Sequence, residues 1–212
     1  MMHIVLRPER ALVAADTAMF TPAGAVARDS AGQPLVGNKV IPLPAARCVC
    51  IYRGDAVLQT YVAGAAIAGD DFDAALVALT AALAGAAQHR ELAGPGDKGQ
   101  AGAHALHLVG WSAKRRTMCH VELHFSRAFK PGQVHAADAA TKPRRRRGRS
   151  VSSAVDASLP RCAAGMLAAM RNTAATERAA DPHARIGGQC VVAELTPDAV
   201  TVRRMGDLGM PA

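Results

Sequence analysis

The segment MMHIVLRPERALVAAD, residues 1–16, predicts a β-hairpin. Two apolar runs, His3–Arg7 and Ala11–Ala15, lie on either side of the polar turn Pro8-Glu9-Arg10. Apolar runs joined by a short turn that contains proline are typical of paired strands. Asp16 then closes the second strand. Because an isolated hairpin is at best marginally stable in water, the rest of the chain has to supply partner strands and a covering layer.

Later segments supply both. Two of them have helical periodicity and predict helices through Leu58 and Val62 and from Phe72 to Leu83, and a third predicts a long helix over about residues 158–180. Six segments predict further strands: 39–43, 47–52, 104–111, 117–125, 189–195 and 199–204. Clusters of strands separated by helices favour packed sheets with helices on their outer faces, an α+β fold.

The composition indicates one domain over residues 1–212 with a core of small aliphatic side chains. Half of the residues are hydrophobic but only 3% are aromatic. No apolar run is long enough to cross a bilayer, and the first residues lack the pattern of a signal peptide, so we expect a cytoplasmic protein with no membrane partner. Five cysteines are an odd number, and most lie in apolar segments, which favours buried free thiols over a disulfide framework.

The net charge of +8 is concentrated in one segment. Residues 130–153 have few apolar side chains and predict an exposed loop inserted in the domain. Nucleic acid is one partner that such a loop could bind, because closely spaced guanidinium groups contact phosphates. A solvated charge run is the alternative, since the loop contains no aromatic side chain that could stack on bases. Six basic residues of the loop account for most of the net charge: Lys142, Arg144, Arg145, Arg146, Arg147 and Arg149.

Five short segments, in this order and spacing, resemble one family. They are Ala11–Asp16, Gly37–Ile41, Gly54–Ala56, Leu108–Trp111 and the Ile186-Gly187-Gly188 sequence before a late strand. Together they resemble proteasome β-type subunits and their bacterial relatives in the N-terminal-nucleophile (Ntn) hydrolase superfamily. The resemblance implies a four-layer αββα sandwich, with two antiparallel sheets between helical layers.

The chemistry of this family uses an N-terminal Thr, Ser or Cys, whose free α-amine acts as the base. A lysine and an aspartate support the nucleophile, and by resemblance Lys39 and Asp16 match these two catalytic positions. The position of the nucleophile falls at or just before Met1 or Met2, and a thioether has no acidic proton. We expect no propeptide before the hairpin, and the first hydroxyl is that of Thr17. An ordinary ion pair is the alternative role for Asp16 and Lys39.

Three functions remain open. The resemblance favours a catalytically inactive scaffolding subunit, a pseudoenzyme that forms homo-oligomers. The second is an active Ntn-type hydrolase with a different start or with another nucleophile, such as Cys48 or Thr17. The third is a nucleic-acid-associated protein that uses the Arg144–Arg149 run.

We expect neither a cofactor nor a metal. His120, Glu122 and His124 project from one face of a predicted strand and could ligate a metal, but a histidine pair on a half-exposed sheet face explains them as well. Cys48 and Cys50 also share one face of a strand, without the two-residue spacing that metal sites usually have.

Overall fold

A computed structural model of the chain contains two five-stranded β-sheets that pack face to face. It describes residues 1–21, 25–53, 58–65, 69–86, 104–124, 128–137, 151–153, 160–181, 184 and 186–209. In chain order the elements are β1 (Met2–Arg7), β2 (Arg10–Asp16), β3 (Val40–Leu43), β4 (Cys48–Arg53), α1 (Leu58–Ala65), α2 (Phe72–Ala86), β5 (Ala105–Ser112), β6 (Thr117–His124), β7 (His135–Ala136), β8 (Val151–Ser153), α3 (Ala163–Ala180), β9 (Gln189–Leu195) and β10 (Val200–Asp207).

The strands are ordered β10-β9-β2-β1-β8 in the first sheet and β3-β4-β5-β6-β7 in the second. Neighbouring strands are antiparallel except for β1 and β8, which pair in parallel. The predicted hairpin is therefore at the centre of the first sheet, where β2 pairs with β9 as well as with β1.

Three buried clusters separate four layers. The first joins α1 and α2 to the second sheet, the middle one fills the space between the sheets, and the third joins α3 to the first sheet. Representative members are Phe72 and Leu106 in the first, Val13 and Val109 in the middle, and Met170 in the third. The αββα sandwich is thus confirmed. None of the helices in the described part of the chain combines the length and apolarity that a bilayer crossing needs.

The sequence of β2 reflects this layering. All its residues after Arg10 are buried, because the second sheet covers one face and α3 covers the other. A strand that is covered on both faces has a continuous apolar sequence, here Ala11-Leu12-Val13-Ala14-Ala15.

The segment predicted as a loop over residues 130–153 contributes strands at both ends. β7 extends the second sheet, where His135 pairs with His120, and β8 extends the first sheet, where Val151 pairs with Met2. Strands of two or three residues are too short to show a periodicity in the sequence, so the pairing partner decides them. Lys142 and the arginines of the basic run lie outside the described residues.

Gly110 on β5 leaves room for a thiol. It pairs with Cys48 on one side and with Cys119 on the other, and both thiols are fully buried in the cluster under α1 and α2. A Cβ atom added to Gly110 would lie 2.1 Å from Cys48 Sγ. The packing of the core around Cys48 therefore depends on residue 110 being a glycine.

We expect Gly110→Ala to lower the free energy of unfolding by about 1–3 kcal/mol, because the added methyl group overpacks the core. Cys48→Ala should rescue part of this loss, since it removes the closest atom but leaves the Cys48 Cβ at 3.0 Å. Gly85→Ala is the matched control, because a Cβ there meets no atom within 4 Å. Urea unfolding of the three variants, Gly110→Ala, Gly110→Ala/Cys48→Ala and Gly85→Ala, measures the effect; an equal loss for Gly85→Ala would contradict this account.

Candidate functional site

Asp16, Lys39 and the α-amine of Met1 converge at one end of the two sheets. Asp16 is the last residue of β2, and its backbone N–H donates to the Met1 carbonyl at 3.2 Å, so the hairpin register places these two residues opposite each other. Lys39 directly precedes β3 of the second sheet. The structure therefore brings together the two residues that the resemblance singled out, one from each sheet.

The Asp16 carboxylate is the centre of this cluster. Its Oδ1 lies 2.5 Å from the Met1 nitrogen and 3.0 Å from Lys39 Nζ. Its Oδ2 accepts a hydrogen bond of 3.3 Å from the backbone N–H of Gly187. The carboxylate is fully buried, whereas the Lys39 side chain is 19% exposed. Two cations and a peptide N–H thus replace the water that the carboxylate loses on burial.

The charges of this cluster decide its protonation. Burial by itself raises the pKa of Asp16, but the Met1 ammonium and Lys39 outweigh burial, so the pKa lies below its usual value. Burial lowers the pKa of the Met1 amine, and Asp16 opposes that shift. Asp16 is therefore a carboxylate in the folded protein at neutral pH.

The glycine pair Gly187-Gly188 directly precedes β9 and borders the site. The Gly187 carbonyl accepts a hydrogen bond of 3.0 Å from Ala18 N–H, and the Gly187 N–H donates to Asp16, so both backbone groups of this glycine bond to the end of β2 and the residues after it. Gly188 has φ +73°, and a Cβ there would lie 2.6 Å from Thr17 Oγ1. A side chain is excluded both by the left-handed backbone and by this close approach.

Arg178 holds this segment in place, and its only signal in the sequence is a basic residue near the end of a predicted helix. Arg178 Nη2 donates to the carbonyls of Ile186, Leu208 and Gly209 at 2.9, 3.0 and 2.9 Å. The guanidinium group thereby joins α3 to the residues before β9 and after β10. It positions Gly187 and does not itself contact Asp16 in the described geometry.

The site contains no activated nucleophile among the described residues. Thr17 Oγ1 accepts a hydrogen bond of 2.8 Å from Gln189 N–H, and no carboxylate, imidazole or amine in the described part of the chain accepts its proton. Cys48 is fully buried, its thiol donates to the Ala46 carbonyl at 3.1 Å, and burial raises its pKa. Neither side chain has the partner that converts a hydroxyl or thiol into a nucleophile.

A second polar group lies between the two sheets. His107 Nδ1 and His120 Nε2 are 3.1 Å apart, and the side chains are 1% and 5% exposed. The ring of the exposed His135 stacks on His120, with centroids 5.9 Å apart. Of the predicted half-exposed face of β6, Glu122 and His124 are partly exposed, whereas His120 is buried because the first sheet covers its end of the strand.

The expected partners of His120 on its own strand do not surround it. Glu122 pairs across the strands with His107, and His120 is opposite Val109. In the part of the chain that the structure describes, no three His, Cys, Asp or Glu side chains are arranged to hold a metal ion. His107 was missed as a member of the pair, because only the diagonal contact between β5 and β6 brings the two rings together.

Burial lowers the pKa of His107 to about 4 and that of His120 well below its usual value. The groups that face the pair are His135, Glu122, His124 and Arg53; of these, Glu122 opposes the shift of His107 and His135 adds to that of His120. The pair is therefore neutral and hydrogen-bonded at neutral pH.

We expect the protein to lose stability as the pH falls from 6.5 toward 4. The unfolded chain binds protons at these histidines near pH 6.5, whereas the folded pair stays neutral, so the free energy of unfolding decreases as the pH falls. The loss should be measurable between pH 7.5, where the histidines of the unfolded chain are mainly neutral, and pH 5, where they are mainly protonated. Urea unfolding at the two pH values measures it.

The double variant His107→Gln/His120→Gln should lose most of this pH dependence. His135→Gln is the control and should keep most of it, because burial contributes more to the lowered pKa of His120 than His135 does. An unchanged pH dependence in the double variant would show that other groups cause the loss.

The chain matches no model of a protein family. No curated protein is similar enough to the chain to count as a match. The chemistry of the site is therefore inferred from the positions, charges and burial of its own residues.

Proposed function

We propose that the chain is a non-hydrolytic scaffolding subunit of the cytoplasm that associates with copies of itself through the layer formed by α1 and α2. Two features support this function. The residue whose amine contacts Asp16 is a methionine, and the helices α1 and α2, over the residues that the structure describes, contain a single charged side chain.

The ionic cluster has the form of a catalytic site without the reacting group. Lys39 and Asp16 are in contact at 3.0 Å, yet the side chain at residue 1 is a thioether. Such a sulfur has no proton to lose and is a poor nucleophile toward a carbonyl. The cluster instead joins the end of β2 in one sheet to the start of β3 in the other, which is a structural role.

The proposed self-association is based on the low charge of the α1–α2 layer. The two helices, LQTYVAGA and FDAALVALTAALAGA, contain one charged residue, Asp73, whereas 20% of the whole chain is charged. Asp73 is already paired, because it accepts from Ser112 Oγ and forms an ion pair with Arg115. A solvent-facing helix layer normally carries charges on its outer face.

The exposed face of α2 is small and apolar. Val77 is 71% exposed, and Ala81 and Ala84, which follow it at helical spacing, are exposed as well. Small side chains allow helices to approach closely, and little polar surface has to be desolvated. Two copies with a net charge of +8 repel each other least where they meet through an uncharged surface. The partner that fits this surface is therefore a second copy of the chain.

We expect the purified protein to take no label from an electrophile directed at N-terminal nucleophiles. A matched positive control is a variant with Thr inserted between Met1 and Met2, in which removal of the initiator methionine leaves Thr in the place of Met1. This variant should gain labelling and lose it again with Lys39→Ala. Intact-mass spectrometry measures both label and start; labelling of the unaltered protein, or a chain that starts with Thr, Ser or Cys, would overturn the non-hydrolytic function.

We expect Val77→Glu/Ala81→Glu to shift the protein toward monomers, because two carboxylates would have to be buried in the contact between copies. Sedimentation equilibrium over a range of concentrations measures the association. Ala175→Glu/Ala179→Glu, which places the same charges at the same spacing on the exposed face of α3, is the control and should associate like the unaltered protein. A monomeric unaltered protein, or equal dissociation of both variants, would contradict association through α1 and α2.

A further inference from the structure

A small cavity lies next to the ionic cluster and takes no part in it. Its volume is about 210 Å³, and its lining comes from the end of β2, the segment before β3, and the strands β9 and β10. Thr17 directly follows Asp16, and Asn38 directly precedes Lys39. The lining residues are Thr17, Val36, Gly37, Asn38, Gln189, Val191, Val202 and Arg204.

The polar side chains of this cavity offer hydrogen-bond donors, and the Gln189 amide also has an acceptor oxygen. Asn38 Oδ1 already accepts from Val40 N–H at 3.2 Å, so its NH₂ group is the part left for a ligand. Thr17 Oγ1 accepts from Gln189 N–H, which leaves the Thr17 hydroxyl proton to donate. Arg204 adds a guanidinium group, and in the described part of the chain no carboxylate lies within ion-pair distance of it.

The charge of the cavity is positive. Arg204 is the charged member of its lining, and the lining includes no Asp or Glu. Asp16, the nearest carboxylate along the chain, is buried and neutralised by the Met1 ammonium and Lys39. An anion that can accept several hydrogen bonds from a planar guanidinium is therefore the ligand that fits these groups, and a carboxylate has this geometry.

The remaining walls are apolar. They are formed by Val36, Val191 and Val202, and Val36 is 56% exposed, which places it at the opening of the cavity. Pockets for drug-sized ligands have volumes of roughly 300–1,000 Å³. The smaller volume here fits one group of the size of an amino acid with a short branched side chain.

We propose that this cavity binds a small carboxylate with a short branched aliphatic chain. The carboxylate is bound by Arg204 and the donors of Thr17 and Asn38, and the aliphatic chain packs against the three valines. This site is independent of the proposed scaffolding function, because it uses neither the Asp16 cluster nor the α1–α2 layer. The same chemistry is present in a free branched-chain acid and in the C-terminal residue of a peptide.

The test is a titration of the full chain with 3-methylbutanoate, followed by the NMR shifts of the Gly37 and Gln189 backbone amides. We expect saturable shifts at both amides, and a loss of affinity of about tenfold or more in Arg204→Gln, since charge-assisted hydrogen bonds contribute strongly. Arg203→Gln is the matched control, because Arg203 is exposed, neighbours Arg204 and does not line the cavity. It should bind like the unaltered protein.

The neutral analogue 3-methylbutanamide should bind much more weakly, because it lacks the charge that Arg204 recognises. Absence of shifts at both amides, equal affinity of the amide and the acid, or unchanged binding in Arg204→Gln would each overturn the proposal. Short peptides that end in valine, with a free or an amidated C-terminus, identify the source. Tighter binding of the free-carboxyl peptide than of 3-methylbutanoate assigns a peptide C-terminus, whereas binding of 3-methylbutanoate alone assigns a free acid.

Discussion

The buried carboxylate of Asp16 is the constraint on which this arrangement depends. An ionised carboxylate is costly to remove from water, and here two ammonium groups and one peptide N–H offset that cost. Each partner comes from a different part of the chain: the residue before β1, the residue before β3 and the glycine segment before β9. The three parts meet only when both sheets are formed, so the charge cluster fixes the ends of the sheets relative to each other.

Ionic clusters of this kind can serve catalysis or structure, and the group beside them decides which. A hydroxyl or thiol next to the amine would use Lys39 and Asp16 for its activation. A methionine cannot, and the nearest hydroxyl, that of Thr17, is held by the Gln189 backbone and has no base in the described residues. Among the described residues, the geometry of the cluster joins the ends of the two sheets, and the scaffolding role is proposed from it.

Polar groups in the interior occur where the apolar core is interrupted. The His107–His120 pair lies between the sheets, and the cavity beside Arg204 lies next to the site cluster. The side chains of the core are mainly alanine, valine and leucine, with few aromatic rings. The histidine pair is buried between the sheets, whereas the cavity opens to solvent near Val36.

The sequence by itself determined the strands and helices with long periodic patterns, because apolar spacing reports which faces are buried. It also determined that Asp16 and Lys39 belong together, although by resemblance and not by distance. Only the tertiary structure decided the His107–His120 contact, the hydrogen bonds of Arg178 to the backbone around the glycine segment, and the short strands β7 and β8. Each of these depends on pairing between segments distant in the chain, and periodicity within one segment carries no information about the segment that will cover it.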